Sequence, residues 1–355
     1  MSKSPPDYLD LPPRRESFLA RYPRKVKLAG AAVLLVVLIA PPVWIHMRLH
    51  RSAQNVEAAS YAPQSKTEEN PEAAGVKSGV EADAAAFYDP SVKLTPAPDS
   101  RVTEDTGNGS LPRISDSGLR PWQVYARPFN AADKRPRIAI VVTGLGMAKM
   151  ITDQAITQLP PPVTLSFNAQ APAVAALGTR ARQNGHEILL QVPMEPFDYP
   201  QNDPGPGTLL TNLSNSDNVA RLLKVLSKAV GYVGITSTHG ASFTANQEKF
   251  APVMQVLHDR GLMVLDTHDA PYSVVADMAR SDGVPVATTT ERLDADLSPD
   301  VIAATLGDLE KTARQTGHAV GITAATPVMV AQLQTWIKGL PERGIALAPL
   351  SATVQ

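Results

Sequence analysis

The sequence predicts an α/β fold, a barrel of about seven βα units closed around a parallel sheet. Three observations carry this. From about Lys134 onward, short apolar runs alternate with longer amphipathic stretches. Gly-containing turns, such as Asn184-Gly185, Arg260-Gly261, Asp282-Gly283, Thr316-Gly317 and Arg343-Gly344, sit where a helix should end before a strand. So many such units in about 220 residues suit a barrel better than a two-layer open sheet.

The elements follow in order. The apolar runs place strands at 137–142, 163–167, 187–192, 232–237, 262–266, 284–287, 318–323 and 345–348. The first, Arg137-Ile138-Ala139-Ile140-Val141-Val142, is apolar without alternation, as a strand buried on both faces should be. Between them, helical periodicity covers 148–158, 172–184, 216–229, 246–260, 272–281, 299–315 and 328–340. Ser216, Thr244 and Ser298 stand where N-caps are needed, and Pro299 suits a first helical position.

Ahead of this domain the chain reads differently. Residues 1–27 form a basic tail containing Arg14, Arg15, Arg21, Arg24, Lys25 and Lys27. Residues 28–47 are apolar enough and long enough to span a bilayer, which takes about 20 residues. The positive charges before the span predict a cytoplasmic N-terminus, a single-pass anchor in the inner (cytoplasmic) membrane and a periplasmic C-terminal domain. A cleaved signal peptide is the competing reading; the long basic region and the lack of a small-residue cleavage site argue against it. Residues 48–134, rich in Ala, Pro, Ser and acids, read as a disordered linker, leaving 135–355 as the globular domain.

Composition narrows the chemistry. The net charge of −1 supplies no field to draw nucleic acid. With no Cys in the chain, disulfides, thiol nucleophiles and Cys-zinc sites are excluded. No Walker loop, His-Glu-x-x-His or Gly-x-Ser-x-Gly motif is present.

In a barrel the loops after the strand C-terminal ends carry function. Here they include Thr143-Gly144-Leu145-Gly146, Gln191-Val192-Pro193-Met194-Glu195-Pro196, Thr236-Ser237-Thr238-His239-Gly240, Leu265-Asp266-Thr267-His268-Asp269 and Thr323-Ala324-Ala325-Thr326-Pro327. The longest irregular loop, 193–213, holds Asp198-Tyr199-Pro200-Gln201-Asn202-Asp203-Pro204-Gly205-Pro206. These segments, above all Gly185-His186-Glu187-Ile188-Leu189-Leu190-Gln191-Val192-Pro193-Met194-Glu195-Pro196, resemble the divergent polysaccharide deacetylase family across the whole predicted domain.

The resemblance implies the deformed (β/α) barrel of polysaccharide deacetylases. Those enzymes remove acetyl groups from amino sugars with an Asp-His-His metal site and a second Asp as base. Bound metal brings the pKa of water near neutral. This chain departs from that pattern at the catalytic positions. Thr143 and Gly144 stand where the family has two aspartates. Thr238 stands at a histidine position with His239 one place later, and Ala324 and Thr326 fall where the family has His-Pro-His. Catalytic roles are therefore not assigned, and those five positions read as degenerate.

Glu195, Asp198, Tyr199, Asn202, Asp203 and Asp266 remain as candidate substrate-binding groups, since carboxylates, amides and an aromatic face suit sugar hydroxyls. Each has a plainer reading as a turn or loop brace. His239, Asp266 and His268 are the weak candidates for a divalent metal such as zinc, although their spacing matches no compact metal motif. The expected partner is a cell-envelope glycan or an envelope protein. Two functions stay open: an anchored extracytoplasmic deacetylase acting on envelope glycan, and a non-catalytic saccharide-binding or scaffolding domain.

Overall fold

The computed structural model describes residues 92–107 and 109–354. The expected tail, the apolar span and the linker up to residue 91 lie outside the described residues. Among the described residues no helix is long and apolar enough to cross a membrane.

The described chain opens with an antiparallel hairpin, β1 (Thr103–Thr106) and β2 (Gly109–Pro112), and a short helix α1 (Pro121–Tyr125). Strands and helices then alternate: β3 (Arg137–Leu145), α2 (Lys149–Gln158), β4 (Thr164–Asn168), α3 (Val174–Gln183), β5 (Ile188–Met194) and α4 (Asn215–Leu226). They continue as β6 (Gly234–His239), α5 (Ala241–Thr244), α6 (Gln247–Asp259), β7 (Met263–Asp266), α7 (Val275–Asp282) and β8 (Val286–Thr288). The last elements are β9 (Glu291–Arg292), α8 (Pro299–Thr316), β10 (His318–Ala324), α9 (Pro327–Lys338) and β11 (Ala346–Ala348), closed by a 3₁₀ turn at Leu350–Thr353.

The main sheet runs β8-β7-β6-β5-β4-β3-β10-β9, with β11 beside the start of β3, and its pairs are parallel. The expected barrel is corrected to a curled, open sheet, because β8 and β9 are edges that do not pair with each other. Strands of three and two residues are too short to complete that ladder. The edges nevertheless lie close. Only Thr289 and Thr290 separate them in the chain, and three Cα steps reach at most about 11 Å. The Thr289 N–H donates to the carbonyl of Asp266, and the Thr290 N–H donates to that of Val320. One dipeptide thus bridges β7 and β10, which the sheet can allow only by curling.

Side-chain parity makes two cores. Ile138, Ile140 and Val142 of β3 pack outward under the helices, with Leu165, Phe167, Ile188, Leu190 and Ile235. Ala139 and Val141 point inward and join Leu189, Met263, Leu265, Ala287, Val320 and Ile322. Each fully buried aliphatic side chain stabilises the fold by about 1.5–3 kcal/mol. Helix α8 shows the matching stripe, burying Ile302, Leu306, Leu309 and Ala313. Left-handed Gly283 and Gly317 cap α7 and α8, as their positions in sequence predicted. Two N-caps move from their expected places. Ser214, rather than Ser216, accepts from the Asp217 N–H, and Asn246, rather than Thr244, accepts from that of Lys249.

The linker expected over 48–134 is also corrected: from residue 92 the chain is folded onto the base of the sheet. Apolar residues are sparse there, but Val102 and Tyr125 are buried and join the inner core. Polar contacts do the rest. Arg182 donates to the carbonyls of Tyr125, Gly231 and Thr95 at 2.8, 2.9 and 2.7 Å. The Arg127 N–H reaches the carboxylate of fully buried Glu187, which also accepts from the Ser351 N–H and hydroxyl. Burial pushes the Glu187 carboxyl up, and it holds the Arg182 guanidinium down at about 10, which still leaves that group charged. Burial likewise lowers the pKa of His186, whose ring nitrogens face the carbonyls of Val163 and Ile156.

Candidate functional site

The C-terminal ends of β3, β5, β6, β9 and β10 open onto one cleft of about 540 Å³. Thr143 and Gly144 line it from β3, Gln191 from β5, Ser237 and His239 from β6, and Arg292 and Ala324 from β9 and β10. Thr267 and Asp269 follow β7 into it, and Pro196, Phe197, Asp198 and Asn202 form one lip. Phe197 leaves 67% of its surface exposed there.

The lining is tied together by directed hydrogen bonds. The Gly144 N–H donates to Gln191 Oε1 at 2.7 Å, joining β3 to β5 across β4. The Thr143 hydroxyl is turned to the carbonyl of Thr323 on β10, at 3.1 Å. On the other wall, Thr267 donates to Asp269 at 2.8 Å and lies 3.0 Å from the Ser237 hydroxyl. Arg292 donates to Asp269 and lies 3.5 Å from Asp294, whose other oxygen accepts from the Ala324 N–H. The guanidinium therefore faces the cleft beside two carboxylates. His239 closes β6 with φ of 60° and is exposed, a left-handed conformation that side chains other than Gly seldom adopt.

The predicted binding residues separate here. Asp198 and Asn202 line the cleft. Glu195 is a brace: its carboxylate accepts from the Thr211 N–H at 2.6 Å, the Thr211 hydroxyl at 2.8 Å and the Ser242 hydroxyl at 3.1 Å. Together with Gln170, which donates to the carbonyls of Pro204 and Pro206, it holds the long loop in place. Asp203 accepts from the Gly205 N–H and shapes a turn, and half-buried Tyr199 sits within the same loop. Asp266 is buried and caps its own turn, accepting from the His268 N–H and the Ser273 hydroxyl. Of the degenerate positions, Thr143, Gly144 and Ala324 line the cleft, whereas Thr326 caps α9 by accepting from the Met329 N–H. Thr238 pairs with Pro193 through its strand.

The donor set does not fit the metal that the resemblance implies. His239 faces the cleft, but exposed His268 lines a separate cavity of about 240 Å³ near Thr288 and His318. One Asp266 oxygen is engaged in its turn, and Asp269 is engaged by Arg292 and Thr267. Among the described residues, no three His, Asp or Glu side chains converge as a metal site.

Comparison with known proteins places this geometry. Residues 140–354 match the model of the family described as divergent polysaccharide deacetylase. The chain belongs to that family. Curated relatives include the uncharacterized protein YibQ of Escherichia coli, 26% identical over 206 residues, which cover 58% of this chain and 63% of YibQ. The chain thus spans less than two thirds of YibQ. An uncharacterized protein of Haemophilus influenzae is 26% identical over 212 residues, covering 58% of this chain and 72% of its own. Among solved structures, that of an uncharacterized protein from Agrobacterium tumefaciens superposes with a TM-score of 0.67 and 38% identity, over 69% of this chain and 99% of its own. Within this divergent polysaccharide deacetylase domain, sequence reasoning assigned no role to Gln191, Ser237, Arg292 and Phe197. One signal was available: Gln191 is the lone strongly polar residue of β5 (ILLQVPM), at the same parity as inward-facing Leu189.

Proposed function

We propose that this protein is a membrane-anchored, extracytoplasmic member of its family that binds cell-envelope glycan in the strand-end cleft without metal-assisted hydrolysis. One observation carries the reading. The cleft is lined by hydroxyl, amide and imidazole groups and a guanidinium compensated by carboxylates, with the exposed Phe197 ring at its lip. Such a surface suits a ligand rich in neutral hydroxyl and amide groups, with the ring offered to an apolar sugar face. The apolar 28–47 segment and the basic residues before it support the anchor. Family membership supports a glycan as the ligand class, and the sparse metal donors support binding over hydrolysis.

The test pairs binding with turnover. Isothermal titration of the full chain with N-acetylated envelope glycan fragments should show saturable binding that Phe197→Ala weakens. Acetate release should stay at the buffer rate with or without added zinc. Zinc-dependent acetate release that a chelator abolishes would refute the non-hydrolytic reading, and absence of glycan binding would refute the ligand class.

A further inference from the structure

The exposed apolar side chains are not spread evenly over the domain. All seven large ones among the described residues stand on strand-end loops or in the first turn of the helix that follows. Phe197 and Tyr272 come after β5 and β7; the other five follow β3, β10 and β9, which are neighbours in the sheet. Met147 and Met150 lead into α2, Val328 opens α9, and Leu297 and Val301 flank the start of α8. These helices lie side by side with α9 in the middle. Gln334 of α9 donates to the Gln158 carbonyl of α2 at 2.9 Å, and Trp336 of α9 donates to Glu310 of α8 at 2.7 Å. Each helix runs back from a strand of the parallel sheet, so their first turns share one end. At the usual spacing of packed helices the strip is about 16–20 Å across. A helix N-terminus favours carboxylates, yet α2 and α9 have no acid in their first turns and expose Met150 and Val328 there. Contiguous apolar surface rimmed by charge marks protein–protein sites.

The two ends of the strip carry opposite charge. Lys149 stands at the α2 end with its side chain 88% exposed, and its neighbour Asp153 is also held by Arg180, so the lysine is free to take a second carboxylate. Exposed Asp296 and Asp300 stand at the α8 end. An identical strip laid over this one in the same direction would set Lys149 on Lys149 and acid on acid. Reversed about a two-fold axis through α9, it sets each Lys149 against the partner's Asp296 and Asp300, with Met150, Val328 and Val301 between them. We propose that this strip is the contact face of a two-fold homodimer, in which each copy presents the same patch to the other. The charge pattern selects a second copy of this chain over a generic apolar partner, because the strip is complementary to itself only when it is reversed.

The experiment is sedimentation velocity of the full chain in density-matched detergent over a range of concentrations. Wild type should show a monomer–dimer equilibrium. Val328→Glu sets two carboxylates against each other near the axis and should weaken the dimer by about a hundredfold or more. Lys149→Glu turns two attractive contacts per dimer into repulsive ones and should weaken it by about tenfold. Adding Asp296→Lys and Asp300→Lys to Lys149→Glu inverts both ends of the strip and should bring the dissociation constant back to within about threefold of wild type. Recovery in the variant that carries all three changes separates lost contact from lost folding, and it stands independently if Val328→Glu does not fold. A wild type that stays monomeric at every concentration would overturn the proposal and leave the strip to a different protein. A dimer that neither Val328→Glu nor Lys149→Glu weakens, as one formed through residues 28–47 would be, would overturn it too. Failure of the inverted variant to recover would overturn the reversed, two-fold arrangement.

Discussion

Replacing Tyr125 tests whether the segment before the family domain is part of the folded unit. Its ring is 2% exposed within the inner core, its hydroxyl accepts from the Asp99 N–H at 2.9 Å, and the Arg182 guanidinium lies 5.0 Å from its centroid. Removing a buried aromatic side chain costs about 3–5 kcal/mol. The lost hydrogen bond adds about 1 kcal/mol, and the cation–π contact about as much again. Tyr125→Ala should therefore destabilise the domain by about 5–7 kcal/mol, a large part of the ~5–15 kcal/mol typical of a whole domain. Tyr125→Phe keeps the ring and should cost about 1 kcal/mol, the hydroxyl's share. Urea unfolding of residues 92–355 can be followed by tryptophan fluorescence. Trp122 lies half-buried in the same segment, and Trp336 lies half-buried on α9. Both should report one transition that shifts together in the Ala variant. A cost under about 1 kcal/mol, or loss of the Trp122 signal alone, would show that the base segment docks without supporting the sheet.

Four further outcomes are expected. Because burial lowers the pKa of His186 below 6.5, the native state resists a proton that the unfolded chain accepts. Its stabilising contribution is complete above that value and is lost as pH falls from 6.5 through the lower native pKa; urea midpoints measured across that window should fall less steeply with acid in His186→Gln. A Cβ on Gly234 would lie 2.1 Å from the Met263 carbonyl oxygen, so Gly234→Ala must push β6 and β7 apart and should lower stability by about 1–3 kcal/mol or more, read by thermal unfolding. Glu195→Ala removes three hydrogen bonds from the long loop and should increase limited proteolysis within 196–210 with a small change in unfolding midpoint. Aspartates installed at Thr143 and Gly144 together should give neither zinc uptake nor acetate release, since Gly144 sits at φ of 75° and, among the described residues, no metal-ligating cluster converges there; zinc-dependent acetate release from that double variant would contradict the account of the site.

The alternation of strand and helix was legible because strands such as β3 and β7 are apolar on both faces and the longer helices carry one stripe, so the two periods stay distinct. The observed strands β4 to β8, β10 and β11 lie within about two residues of the expected runs, and β3 runs on to Leu145, past its expected end at 142. Strand β9 was not legible, since Glu291-Arg292 carries no period, and with it Arg292 went unnoticed as a cleft residue. The base segment looked like linker because composition averages over many polar residues, whereas docking depends on where Val102 and Tyr125 fall. In the cleft, the loss of acids at Thr143 and Gly144 could be read directly. The reassignment of Glu195 and Asp266 to loop and turn bracing could not, because a carboxylate's partners here come from Thr211, Ser242 and Ser273, distant along the chain or across a loop.

The dipeptide Thr289-Thr290 has a consequence beyond joining two edges. It is the shortest path around the rim, so its contour length acts as a gauge for the width of the mouth. On one side of that gauge stands Asp266, which leads into Thr267 and Asp269; on the other stands β9, which carries Arg292. The ion pair between Asp269 and Arg292 then works as a clasp over a hinge of fixed size. Lengthening this crossing by a residue or two would let the clasp open without disturbing a single strand ladder. Evolution could thus have adjusted the aperture of this fold by insertion at one point, independently of the residues that line it.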